Sequence, residues 1–599
     1  MLRNKKSIFN LLVIFHALHA LGCSTSTPFK DRYNLNFSLE HNLFSGWHVN
    51  GVGVYRLDST QLIANKAPLC IEQHKDIPLR ISLSQTVKIP LEKQNKSVVV
   101  SLNSKSQHIK HAVLKIVAFD IEENILYKDS VISISSEWER KEIYFSGDKI
   151  DFINLEILVD GNQNLDDQKI WIDKISITID NKDINSFPEQ ETKANYILKT
   201  DSIFLYPETR VDLFKDKKII AFGESAHGCT GIEELILKSI KELIIKEECR
   251  LILLEMPIDK CLLWNAFVEG RCSSEFIDII KDDMQASLLS TEVFVDFLLW
   301  LREYNTKNNQ KVNFIGIDCI NDMTGALFFT TYSLFYYFYS LYNDNTKSKL
   351  RPVLKNLFER NFTDVYEEII SKKTYWEVLL GKKNYDLLVY TLGIAKDSLK
   401  ENIDIALSIL KRENRDYTLF INVRKILDIY QLKSNEKAVI FAHFNHTNKL
   451  NNTSIRPLNK SLGYYLSSEY KNNYCSVGVF VGGGHSIVPE LGNRSANAPL
   501  YRMGSAPENS IEAVCLNKTK ESNFIMPVGS LPEKTMRYRA LPSVGIYSFP
   551  YGYMPKRTDY ILFIPENVEK EAKSVDFELL RVRGVREIRV KKIVEKNMK

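Results

Sequence analysis

Between residues 34 and 180, apolar and polar positions alternate in short runs, as at 98–102, 113–117, 153–159 and 171–179, separated by Asn, Asp, Gly, Lys and Ser. A period of two puts successive side chains on opposite faces, so each run predicts a strand with one buried face. No long 3.6-residue period interrupts them, and their regular spacing predicts a sandwich. After a polar stretch over 181–195 that contains Pro188, the pattern changes. Near-continuous apolar runs at 219–222, 251–254, 312–317, 438–442 and 476–481 alternate with helical periods such as 232–245 and 292–304. Strands apolar on both faces, set between helices, predict a largely parallel sheet covered on both sides. A helical region over roughly 324–432 is too long for a crossover and predicts an inserted subdomain.

The expected fold class is therefore multidomain: an N-terminal all-β jelly-roll sandwich, then an α/β domain with a largely parallel sheet and an inserted helical subdomain. The boundaries read from the pattern are 1–23 for an export signal, 30–182 for the sandwich, 183–200 for a linker, 201–570 for the α/β domain with its insertion, and 571–599 for a basic tail. That tail, with Arg581, Arg583, Arg586, Arg589, Lys591 and Lys592, is read as a solvated face, with contact to an anionic membrane as the alternative.

The chain has 599 residues, 44% hydrophobic and 26% charged, enough to bury more than one core. Its 79 basic and 74 acidic side chains nearly balance, which excludes a dedicated nucleic-acid binder. At the start, Arg3, Lys5 and Lys6 precede an apolar run over 8–15 and then Ala20-Leu21-Gly22-Cys23. This resembles a bacterial lipobox, with Cys23 as the lipidated residue and Ala20 where an aliphatic residue usually stands; the alternative is a plain signal peptide cut nearby. Either reading predicts export, and the lipobox reading predicts an outer-membrane lipoprotein of the bacterial cell envelope, anchored through its N-terminal lipid. The other eight cysteines (Cys70, Cys229, Cys249, Cys261, Cys272, Cys319, Cys475 and Cys515) form no C-x-x-C pair, which excludes a zinc ribbon. Most are expected to be buried small hydrophobes, with pairing of some left open.

Four of the strand-like runs end in ionisable residues: Gly223-Glu224-Ser225-Ala226-His227-Gly228, Leu254-Glu255, Gly316-Ile317-Asp318 and Ala442-His443-Phe444-Asn445-His446. The carboxyl ends of parallel strands lie along one edge of the sheet, so these residues are expected to converge in one cleft. There is no G-x-S-x-G elbow, and Ser225 is read as a turn residue rather than a nucleophile. Three histidines and a carboxylate are also ligand types for zinc, which keeps a metal-dependent hydrolase as an alternative, although H-x-x-H at a strand end is less diagnostic than H-E-x-x-H on a helix. His485, after Gly482-Gly483-Gly484, is read as a solvated residue in a flexible turn, and no G-x-G-x-x-G precedes a helix, so no nucleotide cofactor is expected. The uncharged stretch 323–342 carries Tyr332, Tyr336, Tyr337, Tyr339 and Tyr342 and is read as a helix of the insertion, either packing or forming an aromatic wall for a bulky ester.

The G-E-x-x-H-G turn at 223–228, the L-E end at 254–255, Trp300-Leu301-Arg302-Glu303-Tyr304-Asn305, the G-x-D end at 316–318 and the A-H-x-x-H end at 442–446 occur in an order that resembles the erythromycin esterase family. Further segments similar to that family follow at 462–466, 474–478, 510–513 and 559–564, so the resemblance covers about residues 217–565. It implies a hydrolase that opens an ester or macrolactone with water and no cofactor, and hence a macrolide substrate and macrolide resistance as expectations. It further implies that His227 is the general base, that Glu224 and Glu255 hold or tune it, and that His443 and His446 complete the site. Lys238, Glu233, Arg302 and Asp318 are expected in supporting or substrate-binding roles, with a second histidine or Lys238 stabilising the oxyanion or protonating the leaving alcohol. The turn after His227 is two positions longer than the family pattern before Glu233 and Lys238. In the sandwich, residues 44–47 and 171–177 resemble the first and last strands of galactose-binding-like jelly rolls. That implies either a carbohydrate partner or a spacer role, and a surface glycan-binding lipoprotein with a degenerate esterase domain is the second functional alternative.

Overall fold

The computed structural model describes residues 33, 35 and 47–566, apart from 63–65, 74–78, 91–95, 163–164, 188–197, 199–203, 206–209, 275, 285–290, 319–332, 335–336, 339–343, 360, 401–414, 451–459, 487–500, 504 and 541–548. The expectations for the export signal and Cys23, for Cys319, for the basic tail and for most of the tyrosines in 323–342 fall outside those residues.

The alternating runs form two antiparallel sheets. The first, in the order β1-β4-β9-β6-β7, contains β1 (His48–Val52), β4 (Arg80–Lys88), β6 (Ile109–Phe119), β7 (Ile125–Ile132) and β9 (Phe152–Gly161). The second, β2-β3-β10-β5-β8, contains β2 (Val54–Leu57), β3 (Leu69–Glu72), β5 (Lys96–Gln107), β8 (Glu139–Gly147) and β10 (Lys169–Ile179), with β11 (Lys182–Asp183) paired to β10. Period-two residues such as Ile81, Leu83, Leu114, Ile116, Ile153, Leu155, Ile170 and Ile172 fill the core between them. Full burial of each contributes roughly 1.5–3 kcal/mol. Ile184 joins that core, so the sandwich runs a few residues into the stretch read as linker.

The second unit is built on an eight-stranded sheet in the order β12-β20-β23-β17-β13-β16-β14-β15. Its strands are β12 (Phe204–Leu205), β13 (Ile219–Glu224), β14 (Cys249–Pro257), β15 (Asn313–Asp318), β16 (Lys437–His443), β17 (Tyr474–Val481), β20 (Phe524–Pro527) and β23 (Tyr560–Ile564). The six strands from β23 to β15 run parallel, and β20 and β12 add an antiparallel edge. The short ribbons β18 (Gly484–Ser486) with β19 (Tyr501–Met503) and β21 (Met536–Arg537) with β22 (Tyr551–Gly552) lie outside it. His485 is thus a half-buried strand residue, not a solvated turn residue, because Gly484-His485-Ser486 pair across the ribbon with 501–503.

Helices α1 (Thr230–Lys246), α2 (Ile258–Val268), α3 (Phe276–Met284) and α4 (Glu292–Lys307) follow the first strands. The insertion between β15 and β16 is helical as expected: α5 (Asp344–Lys355), α6 (Phe362–Ser371), α7 (Lys373–Leu380), α8 (Lys382–Lys400) and α9 (Arg415–Tyr430). It is docked by Asn422 of α9, whose Nδ2 donates to the Ile317 carbonyl at 2.7 Å. Then come α10 (Phe444–Thr447), α11 (Leu462–Tyr470), α12 (Ile511–Lys518) and α13 (Met554–Arg557). Among the described residues no helix is long and apolar enough to cross a membrane, and the seven described cysteines are all buried and free of disulfides.

Gly223 is required by close approach. A Cβ there would lie 2.0 Å from Thr447 Oγ1 and 2.9 Å from Phe444 Cα, so α10 packs directly on the end of β13. Gly223→Ala is expected to lower stability by about 1–3 kcal/mol, the usual cost of forcing extra volume into a packed site. Chemical denaturation would check this; a variant as stable as the parent would show that α10 is not seated on the strand end.

Candidate functional site

The parallel register brings the ionisable strand ends together. Glu224 is the Cα partner of His443 across β13 and β16, and Pro257 that of Asp318 across β14 and β15. Between Leu254 and Pro257 the register of β14 shifts against β15, a bulge of the sort that re-aims side chains beside active sites, and Glu255 lies in it. After β13 the chain turns through Gly228, whose φ of 69° favours glycine, before α1 begins at Thr230.

This turn sets His227 back over the strand end. His227 Nδ1 lies 2.7 Å from Glu224 Oε1, with both side chains nearly buried. Burial disfavours charge on the imidazole, but the Glu224 carboxylate outweighs it and raises the His227 pKa above its ordinary 6.5. With Nδ1 committed to Glu224, Nε2 is the nitrogen free for proton transfer to substrate or water. The His443 ring lies 4.5 Å from that of His227, centroid to centroid. Burial and the neighbouring His227 hold His443 well below the ordinary imidazole range. His443 caps α10: its Nδ1 accepts from Asn445 N at 3.2 Å, so the neutral ring carries its proton on Nε2.

His446 is different. Its Nδ1 lies 2.7 Å from Asp416 Oδ1 and its Nε2 3.2 Å from Glu255 Oε1. Burial opposes its charge, yet these two carboxylates push the pKa up to about 10, so it is a fixed imidazolium donating from both nitrogens. Arg415 Nη1, 3.1 Å from Nε2, is then a like-charged neighbour rather than a donor. The carboxylates around the pair balance that repulsion: Arg415 Nη2 donates to Glu255 Oε1 at 2.8 Å and to Asp318 Oδ2 at 2.5 Å, and Nε to Asp318 Oδ1 at 3.2 Å. Burial would raise the Glu255 pKa, but His446 and Arg415 hold it well below the carboxylate range. Its Oε2 accepts from the His443 backbone N at 2.8 Å, tying the network to the second histidine.

The structure therefore gathers Glu224, His227, Glu255, Asp318, His443 and His446 at one sheet edge. It does not gather the other three expected residues there. Arg302 donates from Nη1 and Nη2, each at 2.6 Å, to the carbonyls of Phe267 and Cys272, and stacks on the Phe267 ring. It satisfies orphan carbonyls at the end of α2, a structural task at the far end of that helix from β14. Glu233 is buried and its Oε2 accepts from Thr291 Oγ1 at 2.7 Å, bracing α1 against the N-cap of α4. Lys238 stands on the exposed side of α1, away from the buried cluster that a leaving-group acid would have to reach. Ser225 is buried, its backbone N donating to the Val479 carbonyl at 2.9 Å, as a turn residue would.

Arg415 and Asp416 were not anticipated. They open α9 at the end of the insertion, where an Arg-Asp pair in a first helical turn reads as solvated charge. The available signal was a helix docked against β15 that begins with two charges, and it acquires meaning only when the strand ends are known. Among the described residues no group of three His, Cys, Asp or Glu is arranged to hold a metal ion.

The family model for erythromycin esterase matches residues 244–332 and 401–567. No curated protein sequence matches this chain. A protein from Bacillus cereus of known crystal structure is 17% identical over 61% of this chain and 95% of its own, with a TM-score of 0.45. An erythromycin esterase mutant solved in its open conformation is 15% identical over 60% of this chain and 94% of its own, with a TM-score of 0.40. A carbohydrate-binding module solved with β-1,4-galactotriose is 18% identical over 22% of this chain and 89% of its own, with a TM-score of 0.18.

Proposed function

We propose that this chain, whose C-terminal region carries an erythromycin esterase family domain, is a hydrolase that opens an ester or macrolactone with water activated by His227. The observation that carries the reading is the buried Glu224–His227 pair facing a neutral His443, two imidazoles of opposite protonation preference 4.5 Å apart. His227 Nε2 takes a proton from water while the Glu224 carboxylate compensates the charge arriving on the ring. The water oxygen bonds to the ester carbonyl carbon, and the charge building on the carbonyl oxygen is met by the His443 Nε2 proton. The bond to the alkoxide then breaks, and the alkoxide takes the proton held on His227, giving acid and alcohol. Glu255, held ionised by Arg415 and His446, keeps the His443 backbone in place.

Two expectations not tested by the fold complete the proposal. The basic and apolar N-terminal pattern ending at Cys23 supports export and lipid anchoring in the cell envelope, and the sandwich supports a carbohydrate partner. Incubating purified protein with a panel of simple esters and macrolides, with and without chelator, should yield products one water heavier, or the matching acid and alcohol, in both arms by mass spectrometry. A panel left intact would sink the hydrolase reading; products lost with chelator would favour a metal-dependent hydrolase.

The pH profile follows from the same pair. Protonated His227 cannot accept a proton, and its pKa is raised above 6.5, so kcat/KM should climb with pH through a limb lying above 6.5. In Glu224→Gln, burial on the imidazole is opposed only by the more weakly acting Glu255, and the limb should move to lower pH while kcat falls. A limb that stays in place would remove Glu224 from this role.

A further inference from the structure

The β6–β7 turn of the sandwich holds a conformationally costly residue that the hydrolytic chemistry does not use. Glu123 has a φ of 64°, the left-handed region, which is strained for a non-glycine residue. Asp120 imposes that conformation. Its Oδ1 accepts from Glu122 N at 2.9 Å and Asn124 N at 2.8 Å, its Oδ2 from Asn124 Nδ2 at 2.8 Å, and its carbonyl from Glu123 N at 3.1 Å. The turn so built delivers the Glu123 carboxylate into the α/β unit. There it accepts from Arg557 Nε at 2.8 Å, from Arg557 Nη2 and from the Tyr553 backbone N. Both side chains of the ion pair are 1% exposed. A buried ion pair is weak evidence of stabilisation, because desolvation offsets the attraction; what it can supply is a fixed geometry.

That geometry leads to the hydrolytic site. The Arg557 carbonyl accepts from Lys449 N at 2.8 Å, three residues beyond His446. Lys449 Nζ pairs with Asp559 Oδ1 at 2.6 Å, and Asp559 Oδ2 accepts from Ser476 N of β17 at 2.9 Å. Helix α10, with His443 as its N-cap and His446 in its only full turn, is therefore gripped just past its C-terminal end by the residue that Glu123 holds. The interface has a second pin: Lys88 Nζ donates to Asp151 Oδ1 at 2.6 Å and contacts Thr535 Oγ1 at 2.5 Å, and Thr535 also bonds Asp151. The bonds of that hydroxyl run to the sandwich, not to α13 or Lys449.

We propose that the sandwich is a built-in positioning partner of the hydrolytic site, with Glu123 holding Arg557 so that Lys449 and α10 keep His443 and His446 in register with Glu224 and His227. This rests on the hydrolase reading. The test uses the full chain and compares Glu123→Gln with Thr535→Val, measuring kcat, KM, Tm and amide hydrogen exchange in the peptide covering 443–450. Displacement of a catalytic group by a fraction of an ångström costs rate rather than binding, so Glu123→Gln should lower kcat about tenfold with KM nearly unchanged, and should speed exchange in that peptide. Thr535→Val, which severs the pin at Lys88 and Asp151, should lower Tm and leave kcat and that exchange as they were. A Glu123→Gln protein that loses Tm alone, or a Thr535→Val protein slowed to the same degree, would overturn the proposal. If Glu123→Gln does not fold, Arg557→Lys, which keeps the charge but loses the fork of donors, is read by the same criteria. A parent protein that cleaves no ester removes the hydrolase reading, whereas the exchange comparison still decides whether Glu123 positions α10.

Discussion

His227→Ala is expected to lower kcat by about 10³-fold, within the range by which a positioned acid–base group contributes to catalysis. The turn's backbone is already defined by Gly228 and the Ser225–Val479 bond, so circular dichroism should barely change, while Tm should fall because the buried Glu224 loses its partner. KM should change little as well, because the imidazole is assigned to the transition state and not to uniform binding of the ester. Alternative readings of the site separate here. If His446 were the base, the loss on replacing His227 would be modest; if the domain were degenerate, the parent would have no activity to lose. Full activity in the alanine variant would end the assignment of His227.

The second large effect is expected at Arg415. Replacing it with methionine leaves Glu255 and Asp318, both largely buried, without the guanidinium that bonds them. Breaking one side of such a network costs about 3–5 kcal/mol, which equilibrium unfolding in urea would register. Arg415→Lys should recover only part of it, since a point charge cannot reproduce bonds made to two carboxylates from one planar fork. A variant as stable as the parent would mean that the network contributes nothing net.

The same network fixes a pH window for stability. His446 has a folded pKa raised to about 10, so its contribution is complete below its ordinary 6.5 and is lost as pH rises through about 10. Glu255 has a folded pKa held well below 4.5, so its contribution is present above 4.5 and is lost as pH falls toward its depressed value. The two windows overlap between about 4.5 and 6.5, where both contributions are complete. The hydrolytic limb set by His227 lies above that range, so the His446 and Glu255 contributions are complete below the pH at which activity should be maximal.

Much of this was legible along the chain, and the reason is local. A period of two or of 3.6 is written in adjacent residues, so the change from sandwich to α/β unit and the insertion after β15 could be read directly. The Glu224–His227 pair is encoded within four positions, because a turn after a strand brings residues three apart together and Gly228 permits the turn. The convergence of Glu255, Asp318, His443 and His446 followed from one rule about the edge of a parallel sheet. Lys238, Glu233 and Arg302 were placed in supporting roles by the family resemblance, and the structure put them elsewhere: the period of α1 exposes Lys238 and buries Glu233 against α4, while Arg302 is committed to the end of α2.

What the sequence by itself determined, then, is which residues stand at the strand ends and which histidine has a carboxylate beside it. What only the tertiary structure decided is the charge state of each group. That depends on partners far along the chain: Arg415 is 160 residues from Glu255, and Arg557 is 434 from Glu123. A buried charge takes its pKa from whatever the fold brings within a few ångströms, whatever the distance along the chain. The histidines His443 and His446 look equivalent in a four-letter motif. Burial beside His227 leaves one a neutral donor, and two carboxylates make the other a fixed cation.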